Sequence, residues 1–99
     1  MIMVFDVGNT NIVMGVYREG QLFKHWRIRT DNQRTCDEYG VLIKSLFDFD
    51  GLQMQDVEAL VMSSVVPSLM LELEWMAHKF FSCRPLLVGP GIKTGLAIK

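Results

Sequence analysis

Apolar positions follow two rhythms along this chain, and the change from one to the other predicts its elements. Residues 2–7, Ile-Met-Val-Phe-Asp-Val, form a nearly continuous apolar run, the pattern of a strand buried on both faces. Gly8-Asn9-Thr10-Asn11 is turn chemistry, and Ile12-Val13-Met14-Gly15-Val16-Tyr17 returns as a second β-rich run, so the pair predicts an antiparallel hairpin. After the Gly-containing turn Arg18-Glu19-Gly20-Gln21, residues 22–30 alternate. Leu22, Lys24, Trp26, Ile28 and Thr30 share one face, and Phe23, His25, Arg27 and Arg29 share the other, mostly cationic one.

The period then lengthens. Thr35-Cys36-Asp37-Glu38 has the form of a capping box, in which the Thr hydroxyl and the Glu carboxylate satisfy free backbone donors at a helix start. Tyr39, Leu42, Ile43, Leu46 and Phe47 recur at helical spacing up to about Phe49, and Asp50-Gly51 ends the helix. Residues 59–66 are apolar and β-branched apart from Ser63 and Ser64, which predicts a buried parallel strand reached by crossover. Pro67 suits the first position of a second helix, whose stripe is Leu69, Leu73, Met76, Ala77 and Phe80. Leu86-Leu87-Val88 reads as a short strand broken by Gly89-Pro90-Gly91. The order βββαβαβ, with right-handed crossovers extending the sheet, predicts a ribonuclease-H-like α/β domain: a mixed sheet flanked by helices.

Composition narrows the function classes. The 99 residues hold one domain or a piece of one, and 49% hydrophobic content is high for a small surface-dominated domain, which predicts an apolar face awaiting a partner. Ten Lys and Arg against eleven Asp and Glu leave no basic footprint for nucleic acid. Cys36 and Cys83 form no CxxC or Cys/His cluster, so they read as reduced thiols of a cytoplasmic protein. No membrane span or signal peptide is predicted. His25 and His78 stand alone, and the seven Met residues fall on apolar runs as core filler. Lys24, Arg27, Arg29 and Arg34 read as a modest solvated basic strip. The final residues begin a new β-like run at Lys93, so the chain is expected to be truncated.

Asp6-Val7-Gly8-Asn9-Thr10-Asn11 carries the chemistry. It sets a carboxylate at the end of a strand and a tight polar turn directly after it. Gly8 permits positive φ and close ligand approach, and turn N–H groups can converge on an anion. Thr10 and Asn11 add a hydroxyl and an amide donor for phosphate oxygens. Asp6 would repel a bare phosphate, so its role beside one is to hold Mg²⁺, directly or through water. The alternative is an ordinary hairpin turn with Asp6 accepting turn N–H bonds. Ser63-Ser64 lacks a Gly-x-Ser-x-Gly elbow, which argues against a nucleophile and leaves a backbone or substrate-pocket role.

Asp6-Val-Gly-Asn-Thr-Asn followed by Ile12 to Tyr17 resembles the first phosphate motif of the type III pantothenate kinases. Trp26-Arg27-Ile28-Arg29-Thr30, Thr35-Cys-Asp-Glu-Tyr-Gly40, Ser63-Ser64-Val65-Val66-Pro67 and Gly89-Pro90-Gly91-Ile92-Lys93-Thr94-Gly95-Leu96 resemble further segments of that family, in order. The resemblance implies a member of the acetate and sugar kinase/Hsp70/actin superfamily: an ATP-dependent kinase phosphorylating pantothenate in the first step of coenzyme A biosynthesis. It implies two ribonuclease-H-like domains closing on ATP and Mg²⁺, with K⁺ or NH₄⁺ as monovalent cation and a homodimer at full length. By the same analogy, Asp6, Val7, Gly8, Asn9, Thr10, Asn11, Ile12 and Val13 form the nucleotide phosphate loop, and Gly95 and Leu96 lead toward the pantothenate pocket.

The family's Gly-Ala-Asp-Arg segment, which supplies the general base, would fall after Lys99. Residues 1–99 are therefore expected to be the amino-terminal nucleotide-phosphate-binding domain, with no catalytic residue and no activity alone. The competing reading is a non-catalytic nucleotide-binding or regulatory module of the same superfamily. A ribonuclease-H-like nuclease would need clustered carboxylates for two metal ions, and Asp6 is the sole carboxylate predicted at a sheet end.

Overall fold

The computed structural model describes residues 1–89, and its main elements follow the predicted order. Strands β1 (Ile2–Val7), β2 (Asn11–Arg18) and β3 (Gln21–Arg29) precede helix α1 (Cys36–Phe49), strand β4 (Ala59–Ser64), helix α2 (Pro67–Phe81) and strand β5 (Leu86–Val88). They make a five-stranded sheet in the order β3-β2-β1-β4-β5. β1 pairs antiparallel with β2 and parallel with β4; β2 pairs antiparallel with β3, and β4 parallel with β5. A 3₁₀ turn, Met54–Asp56, has no counterpart in the sequence reading.

The register sorts side chains onto two faces. Met3, Phe5 and Val7 of β1, Ile12, Met14 and Val16 of β2, and Leu60 and Met62 of β4 point one way, into one core with residues of both helices. Tyr39, Ile43 and Phe47 enter it from α1, and Leu69, Leu73, Met76, Ala77 and Phe81 from α2. Full burial of each large apolar side chain stabilises the fold by about 1.5–3 kcal/mol, so both helices are held chiefly by this face. Trp26 stacks on Phe47 at 5.2 Å between ring centroids, and Phe47 meets Phe81 edge-on at 5.8 Å, joining β3, α1 and α2. The capping box of α1 is complete: the Glu38 N–H donates to the Thr35 hydroxyl, and the Thr35 N–H donates to the Glu38 carboxylate at 2.8 Å.

Four details differ from the sequence reading. β4 stops at Ser64 because the Val65 N–H donates to the Val7 carbonyl, while the Ser64 hydroxyl takes the Val66 N–H and turns the chain into α2. Phe81, not Phe80, completes the buried stripe of α2; Phe80 packs over Gly40, where no side chain intervenes. The basic strip divides. Lys24 lies on the helix side of the sheet near Asp50, at 4.0 Å, and the Arg34 guanidinium lies over the Tyr39 ring. Of the methionines, Met3, Met14, Met62 and Met76 are fully buried, as core filler should be, whereas Met54 and Met70 only pack against the core's edge.

The opposite face of the sheet is not covered by either helix. Ile2, Leu86 and Leu87 are exposed, and Ile2, Val4, Tyr17, Val61 and Val88 line an open concavity of about 730 Å³. Leu87 belongs to the helix side by register, with Met62, and is exposed at the sheet edge.

Candidate functional site

β1, β3, β4 and β5 run in one direction, so their carboxyl ends gather along one edge of the sheet, together with the start of β2. Ligands of open α/β sheets bind at such an edge. The turn between β1 and β2 stands at its centre.

The turn is held from behind by its carbonyl groups. The Gly8 N–H donates to the Asn11 carbonyl at 2.9 Å, the Thr30 N–H to the Thr10 carbonyl at 2.9 Å, and the Val65 N–H to the Val7 carbonyl at 3.1 Å. The Thr30 hydroxyl donates to the Gly8 carbonyl at 2.7 Å. With the acceptors occupied, the N–H groups of Asn9 and Thr10 have no acceptor among the described residues. Unpaired N–H dipoles on an exposed turn give a field that attracts an anion. Gly8 does not take a positive φ, as the sequence reading allowed; a Cβ there would lie 3.1 Å from the Asn11 carbonyl oxygen, so its smallness closes the turn.

Asp6 is exposed at the end of β1, on the face away from the helices, and its carboxylate has no ion pair or hydrogen bond among the described residues. That excludes the hairpin reading in which Asp6 accepts turn N–H bonds. The register sets Asp6 in a lateral row with Val13 and Arg27 on one side and Ser63 and Val88 on the other. Asn9 and Thr10 are exposed, and Asn11 and Val13 half-buried; Val7 and Ile12 are closed off in the core and support the turn from below. Ser63 is only 5% exposed, and its hydroxyl donates to the Gly89 carbonyl at 3.5 Å. Gly95 and Leu96 lie outside the described residues.

The donor set suits a particular ion. No group of three or more His, Cys, Asp or Glu residues converges as a metal site among the described residues. A lone free carboxylate beside unpaired N–H groups instead fits Mg²⁺, which keeps several waters and is typically held by one or two carboxylates together with substrate phosphates. His25 and His78 are both exposed and belong to no such group. No helix among the described residues is long and apolar enough to cross a membrane.

A sequence-family model for type III pantothenate kinase matches residues 2–99. The chain belongs to the type III pantothenate kinase family. Solved structures similar to this family member include a candidate N-acetylglucosamine kinase from Porphyromonas gingivalis, with TM-score 0.65 and 18% identity, covering 91% of this chain and 34% of that one. A ROK hexokinase from Thermus thermophilus matches with TM-score 0.65 and 12% identity over 89% of this chain and 34% of that one. The ethanolamine utilization protein EutJ from Carboxydothermus hydrogenoformans matches at 0.58 and 11%, over 87% and 43%. At these identities the likeness shows the fold alone, a ribonuclease-H-like α/β fold with a mixed five-stranded sheet and two helices. The chain spans about a third of the length of the two kinases.

The sequence reading missed Thr30 as a member of the site. Its signal was available: a hydroxyl at the end of the strand that pairs with the strand leaving the turn.

Proposed function

We propose that residues 1–99 are the nucleotide-phosphate-binding part of an ATP-dependent kinase that phosphorylates pantothenate. The observation carrying this reading is the turn at 8–11, where the carbonyls of Gly8, Thr10 and Asn11 are occupied while the N–H groups of Asn9 and Thr10 have no acceptor among the described residues, beside a free Asp6 carboxylate. In a family defined by phosphoryl transfer from ATP, such a turn binds the nucleotide's phosphates.

Each residue then has a role. The N–H groups of Asn9 and Thr10 and the Thr10 hydroxyl donate to phosphate oxygens, and the Asn11 amide flanks them. Asp6 holds Mg²⁺, directly or through a water. A magnesium ion bound there would neutralise phosphate charge and orient the transferable group. Thr30 and Val65 keep the turn in one conformation before ligand arrives, which lowers the ordering cost of binding. In this reading residues 1–99 supply contacts to phosphate and Mg²⁺, and phosphoryl transfer needs a general base and a pantothenate pocket besides.

Calorimetric titration of MgATP into the chain tests the reading. Magnesium-dependent binding is expected, and Asp6→Asn should weaken it by about tenfold, the effect of losing one charged contact. ATP binding that is tight and indifferent to both EDTA and Asp6→Asn would overturn the phosphate-loop assignment. Residues 1–99 with ATP and pantothenate should form no ADP. The full-length product of the reading frame should do so; a product that binds MgATP yet transfers nothing would mark a non-catalytic module.

A further inference from the structure

Arg27 and Arg29 lie on the same sheet face as Asp6 and Asn11, and nothing in the fold explains them. In register, Arg27 stands opposite Val13, which stands opposite Asp6; Arg29 stands opposite Asn11, one step nearer the turn. Both arginines are exposed, and neither has an ion pair among the described residues. Asp6 is free on the same face but stands two strands away, and the acidic groups that follow or touch β3 are engaged. Asp31 accepts from the Gln33 N–H through its own carboxylate, and Asp50 serves Trp26 and Lys24 on the helix side.

Two cations displayed side by side on an edge strand repel each other, so they lower the free energy only when an anion comes between or beside them. Strand spacing sets where that anion would sit. β3 lies two strands from β1, about 9–10 Å away. An arginine side chain reaches roughly 6–7 Å by standard bond lengths, so either guanidinium can extend over Val13 or Asn11 toward the space above Asp6 and the turn. The floor of that space is a half-buried valine and an amide, with no carboxylate on the β3 side.

We propose that Arg27 and Arg29 form the β3 wall of the site and bind the polyphosphate of the nucleotide from the side opposite Ser63. This rests on the phosphate-loop reading and deepens it: the turn and Asp6 hold one end of the polyphosphate, and the guanidiniums clamp the charge that extends over β2. Guanidinium is suited to this because its planar fork meets two phosphate oxygens at once.

The test compares MgATP, MgADP and AMP binding to the chain and to Arg27→Gln, Arg29→Gln, the double Gln variant and the double Lys variant. The double Gln variant should bind MgATP about tenfold more weakly, with AMP changed by less than about twofold, because only the longer polyphosphate reaches the clamp. Its affinity should fall less steeply between about 50 mM and about 200 mM KCl than that of the parent chain, and the double Lys variant should recover the salt slope but only part of the affinity. If the double Gln variant binds MgATP like the parent while Asp6→Asn weakens it, the clamp is wrong and the loop stands. If the parent chain does not distinguish MgATP from AMP, the loop reading fails and the clamp falls with it. Circular dichroism of the double Gln variant should match the parent, since both side chains are exposed.

Discussion

The Thr30 hydroxyl donates to the Gly8 carbonyl at 2.7 Å, fastening the end of β3 to the turn that follows β1. Twenty-two residues separate the two. With the Thr30 N–H bond to the Thr10 carbonyl, the contact links the sheet to the proposed phosphate site and holds the Gly-Asn-Thr turn in place.

Thr30→Val keeps the side-chain shape and removes that donor. The Gly8 carbonyl then loses a partner in a half-buried setting, at a cost of about 1 kcal/mol. Thermal denaturation should report a Tm about 4–8 °C lower. MgATP affinity should fall as well, because the turn must then be ordered by the ligand; an unchanged affinity with lowered Tm would separate the turn from binding.

Trp26 ties β3 to the end of α1 through its indole N–H, which donates to the Asp50 carboxylate at 2.7 Å while the ring stacks on Phe47. Trp26→Phe retains an aromatic ring and deletes the donor to a charged acceptor, so urea unfolding should show a loss of about 1.5 kcal/mol. Trp26→Leu should cost more, by the lost ring contact.

Gly40 lies buried in the second turn of α1 with the Phe80 ring directly over it. Alanine would gain up to about 1 kcal/mol of helix propensity, but its methyl group would overlap the ring and force a shift costing about 1–3 kcal/mol. Gly40→Ala should therefore destabilise the wild-type background and stabilise, or leave unchanged, a Phe80→Ala background. Additive effects in the double-mutant cycle would refute the contact.

Cys36 opens α1, a position whose helix dipole favours a thiolate. Burial nevertheless pushes its thiol pKa up, and the Asp37 and Glu72 carboxylates add to the shift while the Lys79 ammonium opposes it. The fold thus favours the protonated thiol; the associated stabilisation is present below the ordinary thiol pKa and fades as pH rises through the raised one. In a Cys83→Ser background, iodoacetamide should alkylate folded chain more slowly than urea-unfolded chain near pH 8. The gap should narrow at higher pH, and faster alkylation of the folded chain would contradict the shift.

Much of the fold was legible because it rests on local periodicity. Alternation marked β3, the Thr35 to Glu38 box marked the start of α1, and Pro67 marked the start of α2, each by chemistry contained within a few residues. Phe80 and Phe81 show where periodicity stops deciding. Both are aromatic and adjacent, and the choice of core residue fell to Phe81 because Gly40, a helix away, offers Phe80 a seat at the edge. The basic strip, by contrast, divides as the alternation of β3 requires: Lys24 and Arg27 are near in sequence, but an odd separation along a strand sends them to opposite faces.

The sequence by itself determined the elements, their order, the Asp6 to Asn11 motif and the family it resembles. These depend on residue type and spacing over short stretches, which pattern can read. Tertiary structure decided which groups of the motif are free. Thr30 and Val65 arrive from β3 and from beyond β4 to donate to the carbonyls of Val7, Gly8 and Thr10, while the N–H groups of Asn9 and Thr10 and the Asp6 carboxylate keep no partner among the described residues. Hydrogen bonds between segments 22 and 58 residues apart have no periodic trace in the chain; they exist only once the parallel register brings the strand ends to one edge.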